Sequence, residues 1–259
     1  MTKAIVVGTG YVGLPLAIML AREGYEVVGV DIDKNVVKAI NDKKLPIKEK
    51  DLAKIFKEDI VQKNLIARKK PCQGDIFVIA VPSPLHKRKK HADLSLIIDA
   101  LSSIIPFLKK GNLIIVESTI PPLTCKELII PMIENNTAFK VGDDIFLAHC
   151  PERILPGDIF QEIINNDRVI GGVNEKSSKL ATKMYSSFVK GNLYSTDDVT
   201  AELCKLVENT YRDVNIALSN ELSLVTDSLG IDINRVISLA NKHPRVDLLN
   251  PGIGVGGHC

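Results

Sequence analysis

Residues 4–31 read AIVVGTGYVGLPLAIMLAREGYEVVGVD, and this stretch decides the fold. A β-branched run at residues 4–7 leads into three glycines with G-x-G-x-x-G spacing, and an apolar segment with helical periodicity follows at residues 14–22. A second β-branched run at residues 26–30 ends at Asp31. A strand, a glycine turn, a helix and a second strand in this order predict a βαβ unit.

The glycine turn indicates what this βαβ unit binds. Gly8 permits the tight turn, Gly10 lets a pyrophosphate approach the backbone, and Gly13 lets the helix pack against the strand. The helix N-terminus binds phosphate through its amide groups and its dipole. Asp31 can accept a hydrogen bond from a ribose 2′-hydroxyl and would repel a 2′-phosphate, which predicts NAD over NADP. The alternative is a glycine turn that packs the unit and binds no ligand.

The pattern of strands continues through the first three quarters of the chain. Continuous apolar runs at residues 76–81 and 113–116 are typical of parallel strands that are buried on both faces. We therefore predict an α/β fold for residues 1–195, a Rossmann-like doubly wound parallel sheet with helices on both faces.

The character of the sequence then changes. Residues 196–229 contain neither Gly nor Pro, which predicts one long helix that is capped at residue 196 or 197 and ended by Gly230. A shorter helix is predicted at residues 233–241. We predict that residues 196–259 form a central helical domain, for dimerisation and substrate binding, that ends in a glycine-rich loop.

The composition excludes several classes of protein. Of the 259 residues, 45% are hydrophobic and 25% are charged, which excludes disorder as the main state. A net charge of +2 gives no electrostatic drive toward nucleic acid, and 5% aromatic residues without Trp do not suit base stacking. No apolar run approaches the roughly 18 residues of a membrane span. The chain enters a strand at once, so we expect no signal peptide and a cytoplasmic protein.

The five cysteines are odd in number and never form C-x-x-C, which indicates reduced thiols and not a disulfide framework or a zinc site. Cys259 differs from the others because it follows Gly256, Gly257 and His258. Amide groups of such a loop favour an anionic thiolate. The alternative is a small buried apolar residue. The histidines show no ligand spacing, and we predict no metal site.

Polar residues form a stripe along the predicted long helix, at steps of seven, four and seven residues. One interpretation is a solvated face with ion pairs such as that of Glu202 with Lys205. The other is the polar wall of a binding site. The stripe consists of Glu202, Asn209, Asp213 and Asn220, with Lys205 and Arg212 beside it.

Three further clusters lie where loops are expected. VPSP at residues 81–84 and EST at residues 117–119 follow predicted strands, and open α/β sheets bind ligands at the carboxyl ends of their strands. CPER at residues 150–153 places a carboxylate and a guanidinium in a loop that proline rigidifies. Each cluster can also be a simple turn or capping motif.

Together these segments resemble the UDP-glucose/GDP-mannose dehydrogenase family. The matching segments follow the family's order and span nearly the whole chain: GTGYVG, VPSP, ESTIPP, CPERILPG, AELCKLVENTYRDVNIALSNE and PGIGVGGHC. The segments ENTYRDVNIALSNE, HPRV and GVGGHC are more similar to the branch that oxidises UDP-N-acetylmannosamine. The UDP-glucose branch usually carries an aromatic residue and Pro-Lys-Asp after its cysteine.

The resemblance implies a four-electron oxidation of a sugar C6 alcohol to a carboxylate, with NAD as the cofactor. Cys259 would be the nucleophile, Lys205 the proton donor and acceptor, and Asn209 a second donor to the developing alkoxide. Glu152 and Thr119 would orient the water that releases the acid. The residues implied to contact NAD are Gly8, Gly10, Tyr11, Val12, Gly13, Asp31, Ser83 and Thr119. Those implied to contact substrate are Arg153, Ile154, Lys205, Asn209, Arg212, His243, Arg245 and Gly256.

The family continues past the cysteine, with an Asp shortly after it and a second Rossmann-like domain that covers the UDP. The resemblance therefore implies that this chain is a truncated or cleaved form. It also implies a homodimer, or a higher homo-oligomer, that forms through the long helix.

Other functions stay open at this point. UDP-N-acetylglucosamine and UDP-glucose are alternative substrates. A two-electron β-hydroxyacid dehydrogenase shares a Rossmann domain followed by a long helix, although it needs no cysteine. A fragment that binds NAD and catalyses no reaction is the third alternative, because the UDP-binding region is missing.

Overall fold

The computed structural model describes residues 1–86, 91–154 and 157–254. The chain divides into two compact units, one from Met1 to Leu203 and one from Cys204 onward. The domain boundary that the sequence places after residue 195 remains a prediction. The first unit contains, in chain order, β1 (Lys3–Val7), α1 (Gly13–Arg22), β2 (Glu26–Val30), α2 (Lys34–Asn41), α3 (Lys50–Phe56), α4 (Asp59–Asn64), β3 (Leu65–Arg68), β4 (Ile76–Ile79), α5 (Ser95–Ile104), β5 (Leu113–Val116), α6 (Ile130–Asn136), β6 (Phe146–His149), α7 (Ile159–Asn165), β7 (Arg168–Gly172), α8 (Glu175–Tyr185) and β8 (Leu193–Asp197).

The strands of the first unit form one sheet, with eight strands among the described residues in the order β3-β2-β1-β4-β5-β6-β7-β8. The first six strands in this spatial order, β3-β2-β1-β4-β5-β6, are all parallel. They follow the 3-2-1-4-5-6 order of dinucleotide-binding folds. Strands β6 and β7 pair antiparallel, and β8 pairs parallel to β7. The predicted Rossmann-like α/β fold is confirmed, with one antiparallel pairing that the sequence pattern did not indicate.

Alternate residues of the central strands supply two hydrophobic cores, one on each face of the sheet. Val6, Val78 and Ile115 lie in the first core, with α1, α7 and α8 packed over it. Their neighbours Ile5 and Phe77 lie in the second, with α5. Since every residue of β4 and β5 is buried, these runs contain no polar alternation, which is why they were recognisable in the sequence.

The four strands that sequence analysis missed show no continuous apolar run from end to end. The burial of β3 alternates along the strand, as expected at the edge of a sheet. Strand β8 reads LYSTD and is largely exposed at the opposite edge. Strand β6 ends in His149, and β7 begins with Arg168, so a buried polar side chain shortens the apolar run of each strand.

The predicted long helix is α9 (Asp198–Leu229), which begins in the first unit and continues into the second. The carboxylate of Asp197 accepts hydrogen bonds from the amide and the hydroxyl of Thr200, at 2.8 and 2.6 Å, so Asp197 is the cap. Gly230 follows the helix with φ +66°, a conformation that suits glycine. The short helix α10 (Ile233–Ala240) follows, with Asp232 as its cap.

In the second unit, the segment after α10 returns along α9. The side chain of Asn215 accepts a hydrogen bond from the Leu249 amide at 2.9 Å, and that of Asn220 accepts one from the Gly252 amide at 2.9 Å. The hydroxyl of Ser219 donates to the Leu249 carbonyl at 2.5 Å. Three polar side chains of α9 therefore fix the backbone of residues 249–252, just before the glycine-rich loop. Among the described helices, none is both long and apolar enough to span a bilayer.

Candidate functional site

The glycine turn between β1 and α1 has the geometry that a dinucleotide requires. Gly8 has φ +90°, and a Cβ at Gly13 would lie 1.9 Å from the Gly8 carbonyl oxygen, so neither position accepts a side chain. A Cβ at Gly10 would meet nothing within 4 Å. Val12 precedes α1 and makes no side-chain cap, and the first turn holds no acidic residue. This open backbone at an uncapped helix N-terminus fits a pyrophosphate.

Asp31 lies at the carboxyl end of β2 with a fixed orientation. Its Oδ2 accepts hydrogen bonds from the amide and the hydroxyl of Thr9, at 3.0 and 2.9 Å, and its Oδ1 accepts one from the Asp33 amide at 3.0 Å. Hydrogen bonds thus join the glycine turn to the end of β2, the two parts of the predicted NAD site. Sequence analysis missed Thr9, although a hydroxyl residue between the first two glycines was visible.

The carboxyl ends of β4 and β5 are also joined. The Ser118 hydroxyl donates to the Val81 carbonyl at 2.7 Å, and the Glu117 amide donates to the Ile79 carbonyl at 2.9 Å. These bonds hold the loop of Ser83 against the loop of Thr119. Both of these side chains are half-buried, whereas Tyr11, in the glycine turn, is exposed.

The loop after Thr119 is held by a buried carboxylate. Glu202, on α9, accepts hydrogen bonds from the amides of Leu123 and Cys125, at 2.6 and 2.8 Å. These amides open the helical turn at Cys125–Ile129 that leads into α6, and Leu123 itself has φ +71°. Burial raises the pKa of Glu202. Glu202 of the polar stripe therefore anchors the loop after Thr119. Neither interpretation of the stripe, as a solvated face or as the wall of a binding site, included this contact.

A second buried cluster surrounds Glu152. Its Oε2 lies 2.8 Å from Nη2 of Arg168, and its Oε1 accepts hydrogen bonds from the amides of Arg153 and Ile154, at 2.7 and 3.1 Å. The guanidinium Nη1 of Arg168 also lies 3.4 Å from Oε1 of Glu117.

Tyr185 completes this cluster from α8. Its hydroxyl donates to Oε1 of Glu117 at 2.6 Å, and its ring lies 4.8 Å from Cζ of Arg168. Arg168 and Tyr185 were not among the predicted site residues. The available signal was an arginine inside an apolar strand pattern.

Burial controls the protonation of the groups near this cluster. Burial, together with the neighbouring Glu152 carboxylate, raises the pKa of Glu117 to about 8. Burial raises the pKa of Cys150 to about 12, so this thiol stays protonated and is a poor nucleophile. On the other side of the backbone, His149 is fully buried, and neither ring nitrogen has a hydrogen-bond partner among the described residues.

The predicted substrate residues of α9 share one face. Lys205, Asn209 and Arg212 fall within about 60° of each other at 3.6 residues per turn, and all three are half-buried. Nη2 of Arg212 donates to Oδ1 of Asn209 at 3.0 Å. This bond occupies the amide oxygen of Asn209 and leaves its NH₂ group oriented as a donor.

The remaining predicted residues are either exposed or outside the described part of the chain. His243 and Arg245 are exposed, and the Arg245 amide lies 3.4 Å from Nδ1 of His243. Gly256 and Cys259 lie outside the described residues. Within the described ranges, no group of three His, Cys, Asp or Glu side chains could hold a metal ion.

The fold and the glycine turn define a dinucleotide-binding protein of the Rossmann class. The sequence also matches the NAD binding domain of the UDP-glucose/GDP-mannose dehydrogenase family over residues 2–189, and the central domain of that family over residues 199–259. The chain belongs to the UDP-glucose/GDP-mannose dehydrogenase family.

Individual relatives agree with this assignment. The chain is 52% identical to the UDP-N-acetyl-D-mannosamine dehydrogenase of Methanococcus aeolicus over 259 residues, which cover 99% of this chain and 58% of the relative. It is 44% identical to the NDP-N-acetyl-D-galactosaminuronic acid dehydrogenase of Ralstonia solanacearum, covering 98% of this chain and 61% of the relative. The solved UDP-N-acetyl-mannosamine dehydrogenase Cap5O of Staphylococcus aureus is 47% identical, with a TM-score of 0.93 over 100% of this chain and 63% of that chain. The chain thus spans about 60% of the length of these relatives.

We predict that His149 makes the protein sensitive to acid. Burial lowers the pKa of His149 from 6.5 to about 4. Between these pH values the unfolded chain binds a proton that the native ring does not, so stability falls as the pH falls through that window. In His149→Leu, the loss of unfolding free energy between about pH 7 and pH 4 should be smaller by about 3 kcal/mol. Urea unfolding at several pH values measures this difference.

The control for this experiment is His91→Leu, since His91 is exposed. That variant should keep the pH dependence of the wild type. Parallel pH profiles for the wild type and His149→Leu would contradict the prediction.

Proposed function

We propose that the protein catalyses the NAD-dependent oxidation of the C6 alcohol of a UDP-sugar to a carboxylate, with UDP-N-acetyl-D-mannosamine as the substrate and UDP-N-acetyl-D-mannosaminuronate as the product. The observation that carries this proposal is the joint match to the NAD binding and central domains of the family, with 52% identity to a UDP-N-acetyl-D-mannosamine dehydrogenase. Because the chain spans 58% of that relative, the activity is proposed for the protein as it occurs in its cell.

The turn at residues 8–13 supports NAD as the cofactor. The uncapped N-terminus of α1 and the open backbone at Gly10 suit the pyrophosphate. Asp31, held in place by Thr9, suits a ribose hydroxyl and disfavours the 2′-phosphate of NADP. Tyr11, Val12, Ser83 and Thr119 are the further proposed NAD contacts.

The chemistry of the first oxidation is a proton and hydride transfer from the C6 alcohol. NAD, when bound, supplies the acceptor for each hydride. Lys205, or a water bound to it, takes the hydroxyl proton. As an ammonium, Lys205 would stabilise the developing alkoxide instead. The NH₂ group of Asn209 is the second donor, since its amide oxygen is occupied by Arg212.

The second oxidation requires a covalent link to the aldehyde. The Cys259 thiolate adds to the aldehyde carbon, and the aldehyde oxygen takes up a proton, which gives a thiohemiacetal whose carbon again carries a hydrogen beside a hydroxyl. Loss of the second hydride, together with the hydroxyl proton, leaves a thioester. Water then attacks the thioester carbon, the thiol leaves, and the acid is released. Glu152 and Thr119 are the proposed residues that orient this water.

Substrate recognition is assigned to residues on several loops. Arg153 and Arg212 carry cations suited to a diphosphate or a polar sugar. The Ile154 amide is already bonded to Glu152, so the carbonyl of Ile154 remains for the substrate. His243 and Arg245 are exposed and are the proposed contacts to a bound nucleotide sugar. Gly256, the third proposed contact, lies three residues before the nucleophile in the sequence.

We also propose that two copies associate through α9 and that the reaction takes place in the cytoplasm. Val207, Tyr211, Val214 and Leu218 lie within about 60° on the helix and are 48 to 64% exposed. This apolar stripe lies opposite Lys205 and Asn209, and a second copy of the helix would cover it. The four described cysteines are free thiols, which is typical of cytoplasmic proteins.

The first experiment measures the end-point yield of NADH with the protein expressed from its complete reading frame and with the 259-residue chain. About two NADH per UDP-N-acetyl-D-mannosamine are expected, because the reaction removes two hydrides. UDP-N-acetylglucosamine and UDP-glucose are compared alongside. Cys259→Ser should abolish acid formation, whereas Cys72→Ser should not. One NADH per sugar, or full acid formation by Cys259→Ser, would contradict the thioester route.

If the 259-residue chain binds NAD and oxidises none of these sugars, it acts on its own as an NAD-binding fragment. Turnover by the complete protein would then place the missing determinant outside these residues.

Substitution of Asp31 tests the choice of cofactor. Asp31→Ala should weaken NAD binding by about 10- to 100-fold through the loss of a charged hydrogen bond, without weakening NADP. Calorimetric titration with both cofactors measures the change. Asp33→Ala is the matched control, since this neighbouring carboxylate caps α2 and should leave NAD affinity unchanged. Unchanged NAD affinity and preference in Asp31→Ala would refute the ribose assignment.

The apolar stripe predicts the oligomeric state. Sedimentation velocity should show a dimer for the wild type and a monomer for Val214→Glu, because a buried unpaired carboxylate is costly. Asp227→Lys, on the opposite side of α9, should remain dimeric. A monomeric wild type, or a dimeric Val214→Glu, would refute the proposed interface.

A further inference from the structure

The sheet register brings one cation and two carboxylates to one buried place. Strands β6 and β7 pair Ala148 with Gly172 and His149 with Gly171. Continuing this antiparallel register past the end of β6 places Glu152 opposite Arg168, and side chains alternate between the faces. On the neighbouring strand, the parallel register places Glu117 beside Cys150 on the same face. The antiparallel β7 is therefore what brings the guanidinium to the two carboxylates.

This cluster is almost dry. The side chains of Arg168, Glu117 and Glu152 are 3, 0 and 7% exposed. An unpaired charge in such a place is very costly, and two carboxylates side by side cannot both remain ionised without a cation. Arg168 is the only cation paired with either carboxylate among the described residues.

The guanidinium of Arg168 lies closer to Glu152 than to Glu117. It lies 2.8 Å from Glu152 and 3.4 Å from Glu117, while the hydroxyl of Tyr185 donates to Glu117 at 2.6 Å. Since the pKa of Glu117 is raised to about 8, this carboxyl is the protonated one at neutral pH. Arg168 and Glu152 then form an ion pair, and the cluster carries no net charge. The thiol of Cys150 is also protonated there.

The ion pair controls the backbone of the next two residues. Glu152 receives the amides of both Arg153 and Ile154 on Oε1, while Oε2 receives Arg168. The side chain of Arg153 also donates to the carbonyl of Asp167, the residue before Arg168. Two contacts therefore hold this loop at the start of β7, one between Glu152 and Arg168 and one between Arg153 and Asp167.

We propose that Arg168 is a positioning residue that holds Glu152 as an oriented carboxylate and, through it, fixes the backbone of the Arg153–Ile154 loop. The planar fork of an arginine can reach both carboxylates and stack on Tyr185, which a lysine cannot do. The consequence for turnover rests on the proposed function of Glu152, Arg153 and Ile154. The position of the loop and the protonation of the cluster are independent of the proposed function.

Infrared spectroscopy of protonated carboxyl groups tests the proposal without substrate. At neutral pH the wild type should show a buried protonated carboxyl band that Glu117→Gln removes. Arg168→Met should add a second such band, because Glu152 must take up a proton when its cation is lost. Both bands should be absent when Glu117→Gln and Glu152→Gln are combined with Arg168→Met, which assigns the second band to Glu152. A spectrum of Arg168→Met identical to that of the wild type would refute the proposal.

Two further variants cover the case in which Arg168→Met does not fold. The double variant Glu117→Gln with Arg168→Met contains one buried carboxyl and no cation, and it should show the Glu152 band. Arg168→Lys retains the charge and should show only the Glu117 band, but amide hydrogen exchange at residues 153 and 154 should be faster than in the wild type. Unchanged exchange in Arg168→Lys, or no band in the double variant, would overturn the assignment.

Kinetics of the protein expressed from its complete reading frame test the consequence for turnover. Arg168→Lys should lower kcat by about 100-fold, as expected for a displacement of about 1 Å, and leave the KM for NAD unchanged. Lys179→Met is the control, since it removes an exposed ion pair with Glu175 on α8. A normal kcat in Arg168→Lys would overturn the role in turnover. If the wild type itself forms no acid, the proposed function fails, and the infrared and exchange results still decide the role of Arg168.

Discussion

The burial of the parallel sheet on both faces is the constraint on which the rest of the structure depends. Residues of β1, β4 and β5 contribute to one core or the other, and strand interiors therefore offer little room for polar chemistry. Polar side chains collect at the carboxyl ends of the strands, where loops leave the sheet. The glycine turn, Asp31, Ser83, Thr119 and Glu152 all lie at such ends. Their proximity is a consequence of parallel topology.

Buried carboxylates complete this arrangement by fixing loops that the sheet does not reach. Glu202 receives two amides of the segment after Thr119, and Glu152 receives two amides of the segment after Pro151. In each case one carboxylate accepts hydrogen bonds from two backbone amides of the same loop. Glu202 has no cation among the contacts that the structure gives it, and burial raises its pKa. Glu152, which is also buried, is paired with Arg168.

Much of this fold followed from local sequence signals, and the rest depended on tertiary contacts. The glycine spacing, Asp31 and the proline-free run before Gly230 each have a local physical cause, so the βαβ unit and the long helix were predictable. The strands β6, β7 and β8 were not, because a buried His149, a buried Arg168 and an exposed edge hide their periodicity. The same holds for the site. Asp31 was predicted, whereas its contact with Thr9 and the contact of Arg168 with Tyr185 depend on the pairing of distant strands.

The two buried thiols have a practical consequence for probing the folded state. Cys125 and Cys150 are fully buried, and burial raises the pKa of both. Alkylating reagents react with the thiolate, so these two thiols do not react as long as the sheet is intact. They lie on opposite faces of the sheet, one in each core. Covalent labelling of the pair therefore reports opening of the two cores separately, and the native sequence already carries both reporters.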